Sequence, residues 1–163
     1  MIVYHGSTEI IKNPDVVHSK KYLDFGRGFY ITTFENQAKK WAVRKGMRQE
    51  KNAIVNVYEL SEAWDDFKVV SFEKENEKWL DFVCACRKGQ PLNKEYDIII
   101  GNVADDDVFK TVDMYFRGLW NKEKVLGELR YYKMNNQICI VNQETLNRLV
   151  TFKRAYEVEN NGR

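Results

Sequence analysis

Hydrophobic and polar positions alternate in some stretches of this chain and recur at helical spacing in others. Residues 2–5 form a short apolar-rich run, and residues 28–32, GFYIT, are aromatic and β-branched, so both read as strands. Phe34, Ala38, Trp41 and Ala42 recur at i, i+4, i+7 and i+8, which predicts an amphipathic helix to about Gly46. Thr32 with Glu35 has the spacing of a capping box at its start. Residues 53–60, AIVNVYEL, read as a strand. Ser71, followed by Glu73 and Glu75, predicts the cap and first turn of a second helix. Phe72, Trp79, Val83 and Cys86 share one face of that helix, and Gly89-Gln90-Pro91 ends it. Residues 96–101 predict a buried strand, 106–119 and 121–133 two helices, and 137–141 a strand. In residues 150–158, Val150, Phe152, Tyr156 and Val158 fall on one alternating face, as in a half-buried closing strand. Strands and helices mix without a regular βαβ rhythm, so the class is α+β.

The segment from Glu9 to Gly26 is broken by Pro14 and reads as mostly loop. No repeat or low-complexity linker divides the chain. Its 163 residues suit one domain over 1–159 with a polar tail at 160–163.

Composition narrows the function classes. Hydrophobic residues make up 44% and aromatics 13%, as expected of a globular protein. Lys and Arg number 26 against 24 Asp and Glu, a net of +2, which argues against a whole-protein field for nucleic acid. The basic run Lys39, Lys40, Arg44, Lys45 and Arg48 reads as a solvated helix face rather than a nucleic-acid stripe. Met1 leads into a strand-like run with no basic leader, and no apolar stretch approaches a membrane span, so a cytoplasmic protein without membrane partners is expected. Cys84, Cys86 and Cys139 are an odd count and read as reduced thiols. Two histidines far apart argue against a zinc site, and no metal is expected.

Four stretches carry candidate chemistry. In Tyr4-His5-Gly6-Ser7 a histidine ends a strand beside a glycine that permits close approach to the backbone and a small hydroxyl. In Asp24-Phe25-Gly26-Arg27-Gly28-Phe29-Tyr30 a glycine loop offers an arginine for an anionic group. It lacks the third glycine of a dinucleotide fingerprint and the lysine of a phosphate loop. Tyr30 provides a ring on which a heteroaromatic base would stack, and Thr32 lies two residues on. In YDIIIGNVADDD a buried strand ends at Gly101 before Asp105, Asp106 and Asp107; the last two read as helix caps. In NNQICIV, Gln137 begins an otherwise apolar strand.

In order and spacing these pieces resemble a prokaryotic domain-of-unknown-function family placed in the ADP-ribosyltransferase superfamily. They are His-Gly-Ser on the first strand, D-F-G-x-G-F-Y-x-T on the second, Q-A-x-x-W-A on the next helix, Y-D-I-I-x-G-x-V-A-D-D, and a late N-Q-I strand. The resemblance spans residues 3 to about 150, and members of the family resemble toxins of toxin–antitoxin operons. It implies split mixed or antiparallel sheets with peripheral helices and a cleft that takes NAD as substrate. It implies that His5 hydrogen-bonds the adenosine ribose, that the Gly6 backbone holds the nicotinamide amide, and that Tyr30 stacks on the nicotinamide ring. Ser7, Gly26, Gly28 and Thr32 would complete the NAD-binding set, with Arg27 on the diphosphate by virtue of its charge and place.

The implied reaction is mono-ADP-ribosyl transfer to a macromolecule, protein before nucleic acid, by a toxin with an antitoxin partner. The positive charge developing on the ribose needs stabilisation, as in glycoside hydrolysis. The superfamily supplies a glutamate for this, on the late strand. Here that strand begins with Gln137. Three readings follow: Gln137 suffices, a carboxylate enters from elsewhere with Asp105 first in line and Glu128 or Glu144 behind it, or the protein binds a nucleotide or a partner without turnover. Hydrolysis of NAD with water as acceptor is a further alternative.

Overall fold

The computed structural model describes residues 1–20, 23–73, 76–104, 106–129 and 135–159, without the side chains of Asp106, Asp107 and Phe109. Its strands form two sheets. The first has the order β1 (Ile2–Ser7), β3 (Ala53–Leu60), β7 (Val150–Val158), antiparallel throughout. The second has the order β2 (Phe29–Ile31), β6 (Gln137–Ile140), β5 (Ile98–Gly101), β4 (Val69–Ser71), mixed because β4 and β5 run parallel. The sheets are joined at one bridge: Tyr4 N donates to Thr32 O at 2.8 Å, and Thr32 N donates to Tyr4 O at 3.0 Å. The α+β class is therefore the observed one.

Side-chain alternation sorts the core into layers. Val3, Tyr58 and Leu60 of the first sheet meet Phe29, Ile31, Ile98, Ile138 and Ile140 of the second. The other face of the first sheet, with Val55 and Val57, packs on Ala38 and Ala42 of helix α1 (Glu35–Gln49). The other face of the second sheet, with Ile99 and Cys139, is covered by α2 (Glu77–Arg87), α3 (Asp106–Phe116) and α4 (Lys122–Leu129). Trp79, Leu80 and Val83 of α2 are all at 0% exposure, so this layer is dry and contributes the apolar burial that holds the helices.

Local chemistry departs from the sequence reading at two helix starts. Thr32 and Glu35 do not form a capping box. The Thr32 hydroxyl accepts from Phe34 N at 3.1 Å and donates to Asn136 at 2.8 Å, while the Glu35 carboxylate takes the Tyr156 hydroxyl. Nor does Ser71 cap a helix: it belongs to β4, and Asn76 caps α2 by accepting from Trp79 N at 3.0 Å. Among the described residues three short elements stand outside the predicted set: β4, a 3-10 turn at Leu92–Glu95, and α5 (Gln143–Leu149), the last capped by Asn142. The predicted helix 106–119 stops at Phe116, and of 121–133 the described part is Lys122–Leu129.

The irregular segment after β1 is pinned by buried polar groups rather than by secondary structure. Asn56, at 0% exposure, accepts from Ile11 N and donates to Glu9 O, and the Tyr58 hydroxyl donates to Ile11 O. Gln143 grips Pro14 O and Val16 N in the same way. Each satisfies backbone groups that a loop would otherwise leave to water.

Candidate functional site

β1 brings His5 to the bridge between the sheets. The imidazole stacks on Phe29 with ring centroids 4.7 Å apart, and Nδ1–H donates to Tyr30 O at 2.6 Å. A carbonyl can only accept, so this bond fixes the tautomer: the proton sits on Nδ1 and Nε2 carries the free lone pair. Burial pushes the imidazole down to about 4, outweighing the bond it donates to Tyr30 O, with Lys45 lowering it further. His5 is thus neutral at physiological pH and offers one hydrogen-bond acceptor.

Gly6 is approached by a helix. A Cβ on it would lie 2.3 Å from Ala38 O and 2.7 Å from Ala42 N, so α1 crosses β1 in contact with the glycine. Ser7 is buried at 3% exposure and its Oγ accepts from Glu9 N at 3.4 Å.

The Gly26-Arg27-Gly28 loop is a built turn. Gly26 has φ +73°, where side chains are disfavoured, and a Cβ on Gly28 would meet Cys139 Sγ at 2.4 Å. Asn93 donates to Arg27 O at 3.1 Å and Gly28 N donates to Ser19 Oγ at 2.9 Å, which leaves the Arg27 side chain exposed.

Tyr30 and Gln137 share the helix-covered face of the second sheet, because Tyr30 pairs with Cys139 and Gln137 lies two residues before it. Phe29 and Tyr30 point to opposite faces, so His5 touches Tyr30 through the backbone and not the ring. The Tyr30 hydroxyl closes the glycine loop: it accepts from Phe25 N at 3.1 Å and donates to Gly26 O at 2.5 Å. Burial, with Cys139 and Asp24 nearby, pushes the phenol well up.

The residue that sequence reasoning left out is Asp24. It is 8% exposed. Its Oδ1 accepts from Arg87 Nε at 3.0 Å and Nη2 at 2.5 Å, and its Oδ2 accepts from Ala104 N at 2.9 Å and Gln137 Nε2 at 3.1 Å. Gln137, 4% exposed, directs its other amide hydrogen to Asn102 O at 3.3 Å. Both neighbours of Nε2 are acceptors, which settles the amide orientation. Gln137 therefore has its donors committed, and only Oε1 remains to meet a ligand. A glutamate there would face the Asp24 carboxylate, which is a physical reason for the neutral amide.

The structure brings together His5, the Tyr30 backbone and Thr32 at the bridge, and Tyr30, Gln137 and Asp24 around the glycine loop. Thr32 is at 0% exposure with its hydroxyl committed to Phe34 and Asn136. Asp105 lies outside the described residues. Glu128 sits on α4 and Glu144 on α5, and neither joins these contacts. The three cysteines are unpaired and buried, and burial pushes the Cys84 and Cys86 thiols up to about 11 and about 12. A separate depression of about 400 Å³ lies between α2 and the end of α3, lined by Cys84, Lys88, Tyr115 and Phe116 among others, and takes in none of the predicted site residues. Among the described residues no helix is long and apolar enough to cross a membrane.

Fold and site thus define an α+β protein whose first two strands meet at a histidine, with a buried carboxylate–amide network behind them. Residues 1–152 match the family described as "Protein of unknown function (DUF3990)", and the chain belongs to that family. No curated protein matches it.

Proposed function

We propose that the chain is an NAD-dependent mono-ADP-ribosyltransferase that cleaves the nicotinamide–ribose bond and transfers ADP-ribose to a macromolecular acceptor. Protein is preferred as acceptor, and the operon role is that of a toxin with an antitoxin partner in the cytoplasm. One observation carries the reading: two small sheets meet at the Tyr4–Thr32 bridge, and the histidine of the first is hydrogen-bonded to the tyrosine strand of the second. Neutral His5 offers Nε2 to a ribose hydroxyl, the exposed Arg27 offers charge to a diphosphate, and Gln137 offers Oε1 to the second ribose. Incubation with NAD and cell extract is expected to release nicotinamide and label a macromolecule, and His5→Ala is expected to lose both. Neither release nor label with the wild-type protein would overturn the reading.

A second reading is a nucleotide-binding module without turnover. It is favoured by the commitment of both Gln137 amide hydrogens to Asp24 and Asn102, and by the neutrality of that side chain. Calorimetric binding of NAD with nicotinamide release at background would select it.

A further inference from the structure

Helix α1 has two flanks, and one of them turns towards the junction of the sheets. Its buried positions are Ala38, Ala42 and Gly46. Gln37, Trp41 and Lys45 each stand just before a buried residue and share one flank, while Lys39 and Val43 each follow one and share the other. Contacts orient both. Lys39 Nζ lies 5.9 Å from the ring centroid of Tyr156 on β7. On the first flank Gln37 Nε2 donates to Asn136 O at 2.7 Å, next to β6 of the second sheet, and a Cβ on Gly6 would meet Trp41 Cβ at 3.0 Å. Further along, Thr8 Oγ1 donates to Gln49 Oε1 at 2.9 Å. Lys45 stands between these two anchors, alongside the end of β1.

There β1 and β2 no longer pair. Tyr4 directs its backbone N–H and C=O to Thr32, and Gly6, two residues on, directs its own the same way. No other described backbone group bonds them. His5 Nδ1–H takes Tyr30 O, the acceptor that a continued ladder would give to Gly6 N. The end of β1 and the glycine loop before β2 flank this unpaired stretch, with Arg27 exposed on the loop. Lys45 is the cation on the β1 side. Its place in a basic run suggested a solvated face, yet it is half-buried. Lys39 lies 3.8 Å from Glu35 and Lys51 3.6 Å from Glu9, but among the described residues none hydrogen-bonds or ion-pairs with Lys45. Burial pushes its ammonium down, Glu9 counters this, and Arg48 and Lys51 add to it. It lies near enough to His5 to act on the imidazole. A half-buried ammonium without an acceptor is costly, and an anion relieves that cost.

We propose that Lys45 binds the diphosphate of NAD from the β1 side, so that the anionic centre of the dinucleotide meets Lys45 as well as Arg27. The assignment rests on the reading of this junction as an NAD site. Calorimetry with ADP-ribose reads the contact without turnover. Lys45→Met is expected to weaken ADP-ribose binding by about tenfold, the loss of one charge-assisted hydrogen bond. It is also expected to flatten the dependence of binding on salt. Lys45→Arg is expected to keep both, and Lys39→Met, on the other flank, to bind as wild type does. The Lys45→Met protein is expected to melt no lower than wild type, because it loses no partner within the chain. Equal affinity of wild type and Lys45→Met for ADP-ribose would overturn the proposal. Absence of binding by wild type would overturn it together with the NAD reading. Lys45-dependent binding of ADP-ribose without release of nicotinamide from NAD would overturn only the transferase reading and would uphold this contact.

Discussion

Replacing Gln137 by glutamate separates what the resemblance implies from what the structure implies. By resemblance the change restores a catalytic carboxylate and raises turnover. In the structure it removes the two amide donations to Asp24 Oδ2 and Asn102 O, each worth about 1 kcal/mol. It also sets a carboxylate about 3 Å from Asp24; two like charges at that separation repel by about 5 kcal/mol at an effective dielectric of 20. The Arg87 guanidinium offsets part of this. We expect Gln137→Glu to cost about 3–5 kcal/mol at neutral pH, the range for an uncompensated buried charge. The new glutamate escapes by keeping its proton, so its folded pKa rises above the unfolded value of about 4.3. A raised folded pKa means that the variant approaches wild-type stability at low pH and falls away as pH rises. Urea unfolding of both proteins from pH 5 to pH 8 reads the difference. A Gln137→Glu protein as stable as wild type at pH 7.5, or a gap that narrows as pH rises, would refute the Asp24 network. Asp24→Asn combined with Gln137→Glu exchanges acid and amide, and is expected to recover part of the loss in a double-mutant cycle.

Two further outcomes rest on the same geometry. His5, lowered from 6.5 to about 4 by burial, binds its proton more weakly folded than unfolded, so stability falls as pH drops from 6.5 towards 4. The loss is about 3 kcal/mol, and a His5→Gln protein is expected to lose that part of the slope in thermal unfolding across the window. Gly6→Ala drives a Cβ into the α1 backbone at 2.3 Å from Ala38 O, and is expected to cost about 3 kcal/mol and lower Tm by about 10 °C in calorimetry.

The long, strongly patterned elements were legible in the sequence. β3 and β7 occupy the expected residues, but a bulge opposite Val57 and Tyr58 splits the expected single face of β7, so that Val150 and Phe152 pack between the sheets while Tyr156 and Val158 pack against α1. α1 buries Ala38 and Ala42 of its expected face, leaves Phe34 exposed and runs on to Gln49. What failed was chemistry decided by distant partners. The capping-box spacing at Thr32 is real, but Asn136 and Tyr156 outcompete the helix for the two side chains. β4 is three residues long and exists because β5 lies beside it, and Ser71 with the acidic residues after it reads as a helix start rather than as a strand end. The same holds for the site. His5 and Tyr30 were visible as motif residues, and their meeting at the bridge follows from strand pairing. Asp24 opens the glycine loop with no role legible in the sequence, because its meaning depends on Gln137, 113 positions on.

The placement of β2 has a consequence for the order in which the protein can be completed during synthesis. β2 is three residues long, and its ladder is with β6, residues 137–140, which leave the ribosome more than a hundred residues later. Until then the tyrosine strand has no partner but the single bridge to Tyr4. Such long-range pairing is slow to form. A nascent chain that has emerged only as far as α4 therefore holds His5 and Tyr30 in its sequence but cannot fix them together. Whatever chemistry they support waits for the last quarter of the polypeptide.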